Sequence, residues 1–498
     1  MTDRFAPPLW LLFSLQLAVS AASLVVEIVA GRMLAPYVGM SLYTWTSIIA
    51  VVLAGFSAGH WWGGILAGRS SDRALIATGW AMVAATITTG LALPLLKILG
   101  QPVLGAVGHP IWGIGLLSLL VFFLPSLFAG IPAPVLTQIA LRGRPQDSGR
   151  ALGALFAAGA VGAIAGTLLA GFLFISWLGS AGTLVVVCLT YGVAAAACFA
   201  LAHKVSIPAV IALMLGIGTA AWTLASPNPC DRESRYFCLR SVDVSADPDN
   251  PVHLMVIDHL VHGISARDLP GVMFTDHAAM LERLARVRGG PGFSSFHIGG
   301  GTYSLPRSFA DTGEGPVTVA EIDPAVTEMA IADFWFEPGE TRILHQDARR
   351  ALTEDETRYD VVIGDAFTDI AVPAHLVTRE FFELVRSRLE PGGAYLMNVI
   401  DFEDRLDALG AVTRTLAEVF PTVEIWTERK APAPGERLVF VLVAADAETP
   451  LSQIRVPSPA QTDFAAMSPG FVADLIAESD LILTDNYAPI DRLIGRPD

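Results

Sequence analysis

The sequence has few cysteines and few basic residues in its second half, and each shortage excludes a class of function. Only four cysteines occur in 498 residues, and neither a Cys-x-x-Cys pair nor a Cys/His cluster is present, so no metal site is expected. Residues 226–498 contain 23 Lys and Arg against 44 Asp and Glu, a net charge of −21. Binding of nucleic-acid phosphates needs clustered basic side chains, and we therefore expect no nucleic-acid partner.

The first half of the chain is dominated by long apolar runs. Residues 1–225 carry only 9 basic and 4 acidic residues. A run of about 20 apolar residues is long enough to cross a bilayer. The sequence therefore predicts a multi-pass α-helical membrane domain, 1–225, in contact with a lipid bilayer. Seven spans are predicted, give or take one, at roughly 9–30, 44–67, 74–98, 111–139, 151–175, 180–202 and 206–225.

The basic residues of this half predict an orientation in the cell inner membrane, because Lys and Arg favour cytoplasmic loops. With a cytoplasmic N-terminus, only Arg32 and Lys97 fall on the opposite side. Seven spans then place the C-terminal half on the periplasmic side, and one span more or fewer reverses this. Cys230 and Cys238 follow the last span. They can form a disulfide if that side is oxidising, but two free thiols fit their spacing equally well.

Two polar residues lie within the predicted spans, where burial in lipid is costly. Glu27 falls in the first span and His60 in the second. A role in a transport path and a purely structural role both remain open for them.

The second half changes to short alternating stretches and then to a repeated strand–helix pattern. Residues 226–285 are predicted to form a small β-subdomain with a connecting helix. Residues 286–498 alternate apolar strands with helical segments, which predicts a doubly wound parallel sheet, a Rossmann-like fold. Ligands of such sheets bind beyond the carboxyl ends of the strands. Residues that terminate strands are therefore the candidates for a site.

Four consecutive predicted strands end in residues suited to a nucleoside. The triplet Gly299, Gly300 and Gly301 leaves room for a nucleoside against the backbone, and Glu321, about 20 residues further on, can accept hydrogen bonds from both ribose hydroxyls. Asp347 can bind an adenine amino group or, alternatively, cap the helix that begins "ARRAL". Asp365, in "VVIGDAFTD", would face the reacting atoms.

The glycine loop departs from the dinucleotide fingerprint. It reads "GGGTYSLP", with Thr302, Tyr303 and Ser304 where a pyrophosphate needs glycine. This disfavours NAD and FAD and favours a smaller nucleoside without phosphates, such as an S-adenosyl compound.

Together these residues resemble the spermidine synthase (polyamine aminopropyltransferase) family, and specifically its membrane-fused bacterial members. The similarity covers roughly residues 235–400, and "VEIVAGRMLAPYVG" and "LTDNYAPIDRL" resemble the fused subgroup. The resemblance implies that 286–498 is a catalytic domain that binds decarboxylated S-adenosylmethionine, or S-adenosylmethionine, as co-substrate and uses no metal. It also implies a polyamine or another small amine as acceptor, release of methylthioadenosine, and compatibility with assembly as a homo-oligomer.

The resemblance also assigns roles by position. Asp365 matches the first aspartate of the family's D-x-x-D motif and would be the general base that deprotonates the attacking amine. The three glycines and Glu321 match the nucleoside site, and Asp347 falls on its adenine side. Substrate binding is assigned to Asp258, His262, Asp369 and Tyr487.

Three positions depart from the family pattern. Thr302 stands where an aspartate usually grips the free amine of the cofactor, Asp369 lies four rather than three residues after Asp365, and His262 replaces the usual glutamine. His277 falls near the Tyr-His pair of the family. The departures affect the residues expected to bind amine groups more than those expected to bind the nucleoside. A lyase or methyltransferase on the same fold, and a polyamine transporter or sensor with a binding-only domain, therefore remain alternatives.

Overall fold

A computed structural model describes residues 7–366, 372–456 and 462–494. The chain forms two compact units, Met1–Cys238 and Leu239–Asp498. We call them the N-terminal unit and the C-terminal unit.

The N-terminal unit is built from apolar helices. Its core is formed by side chains such as Leu12, Val29 and Leu117, while large apolar side chains such as Trp61 and Phe172 are exposed on the outside. Helices that are apolar on all faces are typical of a membrane environment. The helices are α1 (Leu9–Val38), α2 (Leu42–Ala67), α3 (Ser71–Ala106), α4 (Pro110–Gly130), α5 (Pro132–Gly143), α6 (Ser148–Leu169), α7 (Ile175–Leu201) and α8 (Ile207–Ala225), with a 3-10 turn at Pro145–Asp147 and a π-helical turn at Ala170–Phe174.

Six helical segments of the described residues are long and apolar enough to cross a membrane, judged by length and composition. The number is one lower than the seven predicted runs because the 57-residue segment Pro145–Leu201 contains two of them. A straight helix of that length would measure about 85 Å, well beyond the thickness of a bilayer. Gly179 interrupts the segment with φ 66° and ψ 179°, so two lengths of ordinary size fit within it.

The segment that follows α8 is fastened to the helices of the same unit. It contains the short strand β1 (Arg232–Glu233) and a disulfide between Cys230 and Cys238, which decides between the two states that the sequence left open. The carboxylate of Glu233 accepts hydrogen bonds from the backbone N–H of Ser180, at 3.0 Å, and from its hydroxyl. Arg32 donates to the carbonyl of Ser234 at 2.9 Å.

The C-terminal unit begins with a small antiparallel meander. Its strands are β2 (Cys238–Asp243), β3 (Val252–Ile257) and β4 (Leu260–Ala266), and β3 pairs with both neighbours. Helix α9 (Asp276–Gly289) follows and connects the meander to the second sheet.

The second sheet has nine strands within the described residues. Its order is β12-β13-β10-β11-β9-β8-β5-β6-β7. The strands are β5 (Ser295–Ile298), β6 (Val317–Ala320), β7 (Arg342–Leu344), β8 (Tyr359–Gly364), β9 (Leu389–Phe402), β10 (Thr422–Glu428), β11 (Arg437–Ala445), β12 (Gln453–Val456) and β13 (Thr462–Ala466). The helices are α10 (Ser304–Asp311), α11 (Pro324–Asp333), α12 (Ala348–Glu354), α13 (Arg379–Ser387), α14 (Asp407–Ala417), α15 (Pro469–Glu478) and α16 (Ile490–Ile494), with a 3-10 turn at Ala374–Leu376.

The parallel part of this sheet is the Rossmann-like region that the strand–helix pattern predicted. β5 pairs in parallel with β6 and β8, β6 with β7, and β8 with β9. Every residue of β5 and β6 is buried, as expected for parallel strands covered on both faces. Beyond β9 the pairing becomes antiparallel, through β11, β10, β13 and β12. The pattern did not predict this extension.

Candidate active site

Three of the predicted site residues meet at one edge of the sheet because of strand register. Ile298 of β5 is aligned with Ala320 of β6 and with Gly364 of β8. At the carboxyl edge, the residue that follows β5 is therefore next to the residue that follows β6 on one side and to the residue that follows β8 on the other. These residues are Gly299, Glu321 and Asp365.

The glycine turn has a backbone that other residues fit poorly. Gly299 has φ 92° and Gly301 φ 51°, values that favour glycine. A Cβ on Gly299 would lie 2.7 Å from the carbonyl oxygen of Asp365. The turn therefore brings the β5 and β8 backbones together, and at Gly300 the ring of Tyr303 occupies the space that a Cβ would need.

The carboxylate of Glu321 is fixed by backbone donors. Gly300 N–H donates to Oε2 at 2.8 Å and Asp323 N–H donates to Oε1 at 2.9 Å. The residue is only 6% exposed, and this burial raises the pKa of the carboxyl group to about 7. Each oxygen keeps a further lone pair for a ligand hydroxyl.

Asp365 is held by an amide and faces a histidine. The Nδ2 group of Asn398 donates to Oδ1 of Asp365 at 2.9 Å, and Nε2 of His277 lies 3.9 Å from Oδ2. The Asp365 side chain is 27% exposed, so a ligand can reach it. Asn398 is 1% exposed, and its Oδ1 is buried without a hydrogen-bond donor among the described residues.

A histidine of the β3–β4 hairpin, His262, also lies near this carboxylate. Burial lowers the pKa of His262 to about 4, although the charge of Asp365 acts in the opposite direction, and His277 and His259 lower it further. His262 is therefore neutral at pH 7 and close to Asp365. Asp258 lies in the turn between β3 and β4 with φ 54° and is 4% exposed.

Asp347 has the capping role that the sequence left as an alternative. Its Oδ1 accepts from the N–H of Arg350 at 3.0 Å, at the start of α12. Its Oδ2 lies 2.7 Å from Nε2 of His375, a contact that the sequence did not suggest. This hydrogen bond lowers the pKa of Asp347.

The C-terminal segment is anchored beside Asp347. Arg349 binds both carboxylate oxygens of Asp485 at 2.6 Å, and Thr378 donates to Oδ1 of Asp485 at 2.8 Å. Tyr487 and Thr484 form an isolated antiparallel β-bridge, and Tyr487 is 57% exposed. The remaining predicted site residue, Asp369, lies outside the described residues.

Thr302, the first departure from the family pattern, is buried in a row of hydroxyl groups. Its Oγ1 lies 2.6 Å from Oγ of Ser304, which lies 2.9 Å from Oγ of Ser265. A Cβ on Gly263 would come within 2.6 Å of Thr302 Oγ1, so the hydroxyl row packs tightly on β4. At this position the protein has hydroxyl groups where the family pattern has a carboxylate.

Within the described ranges, no group of three or more His, Cys, Asp or Glu side chains is placed to hold a metal ion. The charged groups of the site are thus the carboxylates of Glu321, Asp347 and Asp365 with their neighbouring histidines.

The chain is similar to several curated proteins, whereas no family model matches it. A probable polyamine aminopropyl transferase of Bifidobacterium longum is 33% identical over 105 residues, 21% of this chain and 23% of that protein. A polyamine aminopropyltransferase of Vibrio vulnificus is 27% identical over 209 residues, 39% of this chain and 67% of that protein. The chain is therefore similar to polyamine aminopropyltransferases over part of its length.

A longer match is polyamine aminopropyltransferase 2 of Streptomyces coelicolor, 27% identical over 367 residues, 65% of this chain and 63% of that protein. The chain thus spans between about a quarter and two thirds of the length of these relatives.

Among the site residues, sequence reasoning missed Asn398 and His375. Asn398 is a polar residue inside the apolar run "AYLMNVI" of β9. A single amide at a fully buried strand position is the signal that could have identified it, because buried polar groups need partners.

Proposed function

We propose that this protein is a membrane-bound polyamine aminopropyltransferase. It transfers the aminopropyl group of decarboxylated S-adenosylmethionine to a diamine such as putrescine and releases methylthioadenosine. The observation that carries the proposal is the alignment of β5, β6 and β8, which brings a glycine turn, a ribose-type acid and the accessible carboxylate of Asp365 to one edge.

The nucleoside end of the site fits an adenosyl group without phosphates. Gly299, Gly300 and Gly301 carry no side chains that would cover the turn, and Glu321 has lone pairs left for the two ribose hydroxyls. Asp347 faces the adenine side in this proposal. To bind an adenine amino group, it would exchange its hydrogen bond with His375 for one with the base.

The amine end supplies the proton acceptor. An ammonium group has no lone pair, so it must lose a proton before it can attack. Asp365 takes this proton, the amine nitrogen forms a bond to the methylene carbon next to the sulfonium, and the C–S bond breaks with its electron pair moving to sulfur. Asn398 holds Asp365 in place, and its unpaired Oδ1 is available to a second N–H of the amine.

We further propose that the N-terminal unit lies in the inner membrane as a multi-pass domain and that the C-terminal unit is periplasmic. Six apolar helical segments support the first point. The disulfide between Cys230 and Cys238 supports the second, because disulfides persist in oxidising compartments. We also propose the domain boundaries that the sequence predicts, after residues 225 and 285.

One observation favours a second candidate, a lyase or methyltransferase that uses intact S-adenosylmethionine. The hydroxyl row of Thr302, Ser304 and Ser265 carries no charge, so it does not repel the carboxylate of intact S-adenosylmethionine as an aspartate would. The decarboxylated compound lacks that carboxylate and carries only a free amine.

The nucleoside product of the detergent-purified full chain separates the candidates, because aminopropyl transfer and lysis release methylthioadenosine whereas methyl transfer leaves S-adenosylhomocysteine. Mass spectrometry would follow it with decarboxylated or intact S-adenosylmethionine, each with and without putrescine. The proposal expects release only with the decarboxylated compound plus an amine, and loss of release in Asp365→Asn by about 10²-fold or more. Glu356→Gln, at an exposed position outside the site, is the charge-matched control. Release from intact S-adenosylmethionine alone would instead establish the lyase.

A further inference from the structure

The carboxylate of Asp347 is bonded to the protein through both of its oxygens. Oδ1 accepts from the backbone N–H of Arg350 at 3.0 Å, and Oδ2 lies 2.7 Å from Nε2 of His375. The contact with His375 lowers the pKa of Asp347 and keeps the carboxyl group ionised at neutral pH. An ionised carboxylate only accepts hydrogen bonds, so Nε2 of His375 carries the proton. The oxygen that does not cap α12 is therefore occupied by an internal donor.

Solvent reaches both members of this pair. The His375 side chain is 49% exposed and the Asp347 side chain is 31% exposed. When the hydrogen bond opens, water can replace the lost partner of each group, so opening costs less than the rupture of a buried contact. The two side chains can therefore exchange partners while the hydrophobic core stays intact.

The main chain of His375 is fixed, in contrast to its side chain. His375 belongs to the 3-10 turn Ala374–Leu376, in which Leu376 is 4% exposed. Nη1 of Arg349 donates to the carbonyl oxygen of His375 at 3.2 Å. The same guanidinium group binds both carboxylate oxygens of Asp485 at 2.6 Å. Rotation of the imidazole is therefore the movement that releases Asp347.

The charged groups around His375 favour its role as a donor. Asp347 precedes α12, Arg349 lies within that helix, Glu380 belongs to α13 and Asp485 belongs to the C-terminal segment. Asp485 is fixed in addition by its own N–H, which donates to Glu380 at 3.1 Å. Three carboxylates and one guanidinium group thus lie near the imidazole, and an acidic environment stabilises a donor N–H.

The exocyclic amine of adenine needs the same acceptor. In the proposed function Asp347 lies on the adenine side, and an amine N–H donates just as an imidazole N–H does. We propose that His375 is a positioning residue of the nucleoside site, which competes with the adenine amine for Oδ2 of Asp347 and turns away when the nucleoside binds. This inference rests on the proposed function and identifies a residue that sets how tightly the nucleoside is held.

Competition of this kind weakens nucleoside binding by a defined factor. The ligand binds only to molecules in which Asp347 is free, so the apparent dissociation constant is the intrinsic constant divided by that fraction. The return of His375 to Asp347 also removes one hydrogen bond from the bound product, which favours the release of methylthioadenosine. One contact thus acts in both binding and release.

Calorimetric binding of methylthioadenosine to the full chain tests the competition. His375→Ala should bind it about threefold to tenfold more tightly than the wild type, because Asp347 then has no internal donor to lose. His375→Gln keeps a side-chain donor and should restore an affinity close to that of the wild type. A purely structural role for His375 predicts weaker binding to the alanine variant.

A second ligand isolates the contribution of the adenine amine. The analogue of methylthioadenosine in which a hydrogen replaces the exocyclic amine has no donor for Asp347. His375→Ala should therefore leave the affinity for this analogue unchanged. Binding of the analogue also shows that the rest of the nucleoside site is intact in each variant.

Replacement of the acceptor gives the reciprocal test. Asp347→Asn keeps a cap for α12 but replaces one acceptor oxygen with a donor group, and it should weaken methylthioadenosine binding. Addition of His375→Ala to this variant should give no gain, because both effects act through one carboxylate. His203→Ala removes an exposed histidine of the N-terminal unit and is the matched control, with binding equal to that of the wild type.

The contrary outcomes distinguish a failed inference from a failed function. Equal or weaker binding of methylthioadenosine to His375→Ala, or an equal gain for the analogue without the amine, excludes the competition while the proposed aminopropyl transfer stands. If the wild type binds no methylthioadenosine, the proposed function fails and the inference fails with it.

Discussion

Nδ2 of Asn398 donates to Oδ1 of Asp365 across 2.9 Å, from a side chain that is 1% exposed. The amide comes from the middle of β9 and the carboxylate from the end of β8, two strands that pair in parallel. The position of the proposed base is therefore set by the sheet rather than by a loop. This contact leads to the first prediction.

Replacement of Asn398 by aspartate should move the pH profile to higher pH. Two carboxylates in contact resist ionisation together, so the pKa values of the pair rise. The base works only when ionised, and the acidic limb of kcat/KM should therefore shift upward by about one unit or more. Profiles of the wild type, the aspartate variant and Asn398→Ala would be compared. A purely structural role for Asn398 predicts lower activity in both variants with no shift.

Nucleoside affinity should increase as the pH rises through about 7. Burial raises the pKa of Glu321 to about 7 in the free protein, and ribose hydroxyls donate best to the ionised carboxylate. The ionised fraction rises about tenfold between pH 6 and pH 8, so methylthioadenosine should bind about tenfold more tightly at pH 8. Calorimetry on the wild type and Glu321→Gln would show this. Equal pH dependence in both proteins would assign the effect to another group.

The same pKa shift has a defined sign for stability. A carboxyl group with a folded-state pKa above its usual value of 4.5 binds more protons in the folded protein than in the unfolded chain. Its contribution therefore favours the folded state below about pH 4.5 and declines as the pH rises from there through about 7. Glu321→Gln should remove this slope from the pH dependence of unfolding of the C-terminal unit.

Replacement of Gly299 by alanine should disrupt the junction of β5 and β8. The new Cβ would lie 2.7 Å from the Asp365 carbonyl oxygen, in addition to the cost of φ 92°. Gly290→Ala is the matched control because Gly290 has φ 71° but nothing within 4 Å of a Cβ. The control, whose backbone (φ 71°, ψ −174°) is in a region nearly restricted to glycine, should lose about 1–3 kcal/mol of stability. Gly299→Ala should lose more, together with nucleoside binding, and equal losses would argue against the close contact.

The cysteine pair should report the compartment of the segment after α8. In intact cells, a membrane-impermeant maleimide should label Cys230 and Cys238 only after treatment with an impermeant reductant. Cys188 and Cys198 are buried and free, and both would be changed to serine so that the pair alone reacts. Labelling only after cell lysis would contradict the proposed periplasmic orientation.

The sequence predicted the nucleoside end of the site better than the amine end. Gly299, Glu321 and Asp365 each follow an apolar strand, and a parallel sheet brings such positions to one edge whatever the side chains between them are. His375 lies in the 3-10 turn Ala374–Leu376 and is found only from its tertiary contact, whereas the one sequence signal for Asn398 is a polar residue within an apolar run.

The same reason explains the incomplete prediction of the fold. The parallel strands alternate with helices along the chain, so their order is visible in the pattern. The antiparallel extension depends on β11 pairing with β9 across a helix and another strand, which local periodicity does not show. The break at Gly179 also has no local signal, because glycine is common in the apolar helices of this chain.

The antiparallel extension separates two tasks along the chain. Residues that would hold the nucleoside follow β5 and β6. A separate cavity of about 740 Å³ in the C-terminal unit is lined by the end of β9 and by the hairpin between β10 and β11. Substitutions in that hairpin can alter which amine is accepted without altering the residues that would bind the nucleoside. The architecture therefore gives such an enzyme room to acquire new acceptors in evolution while its donor stays the same.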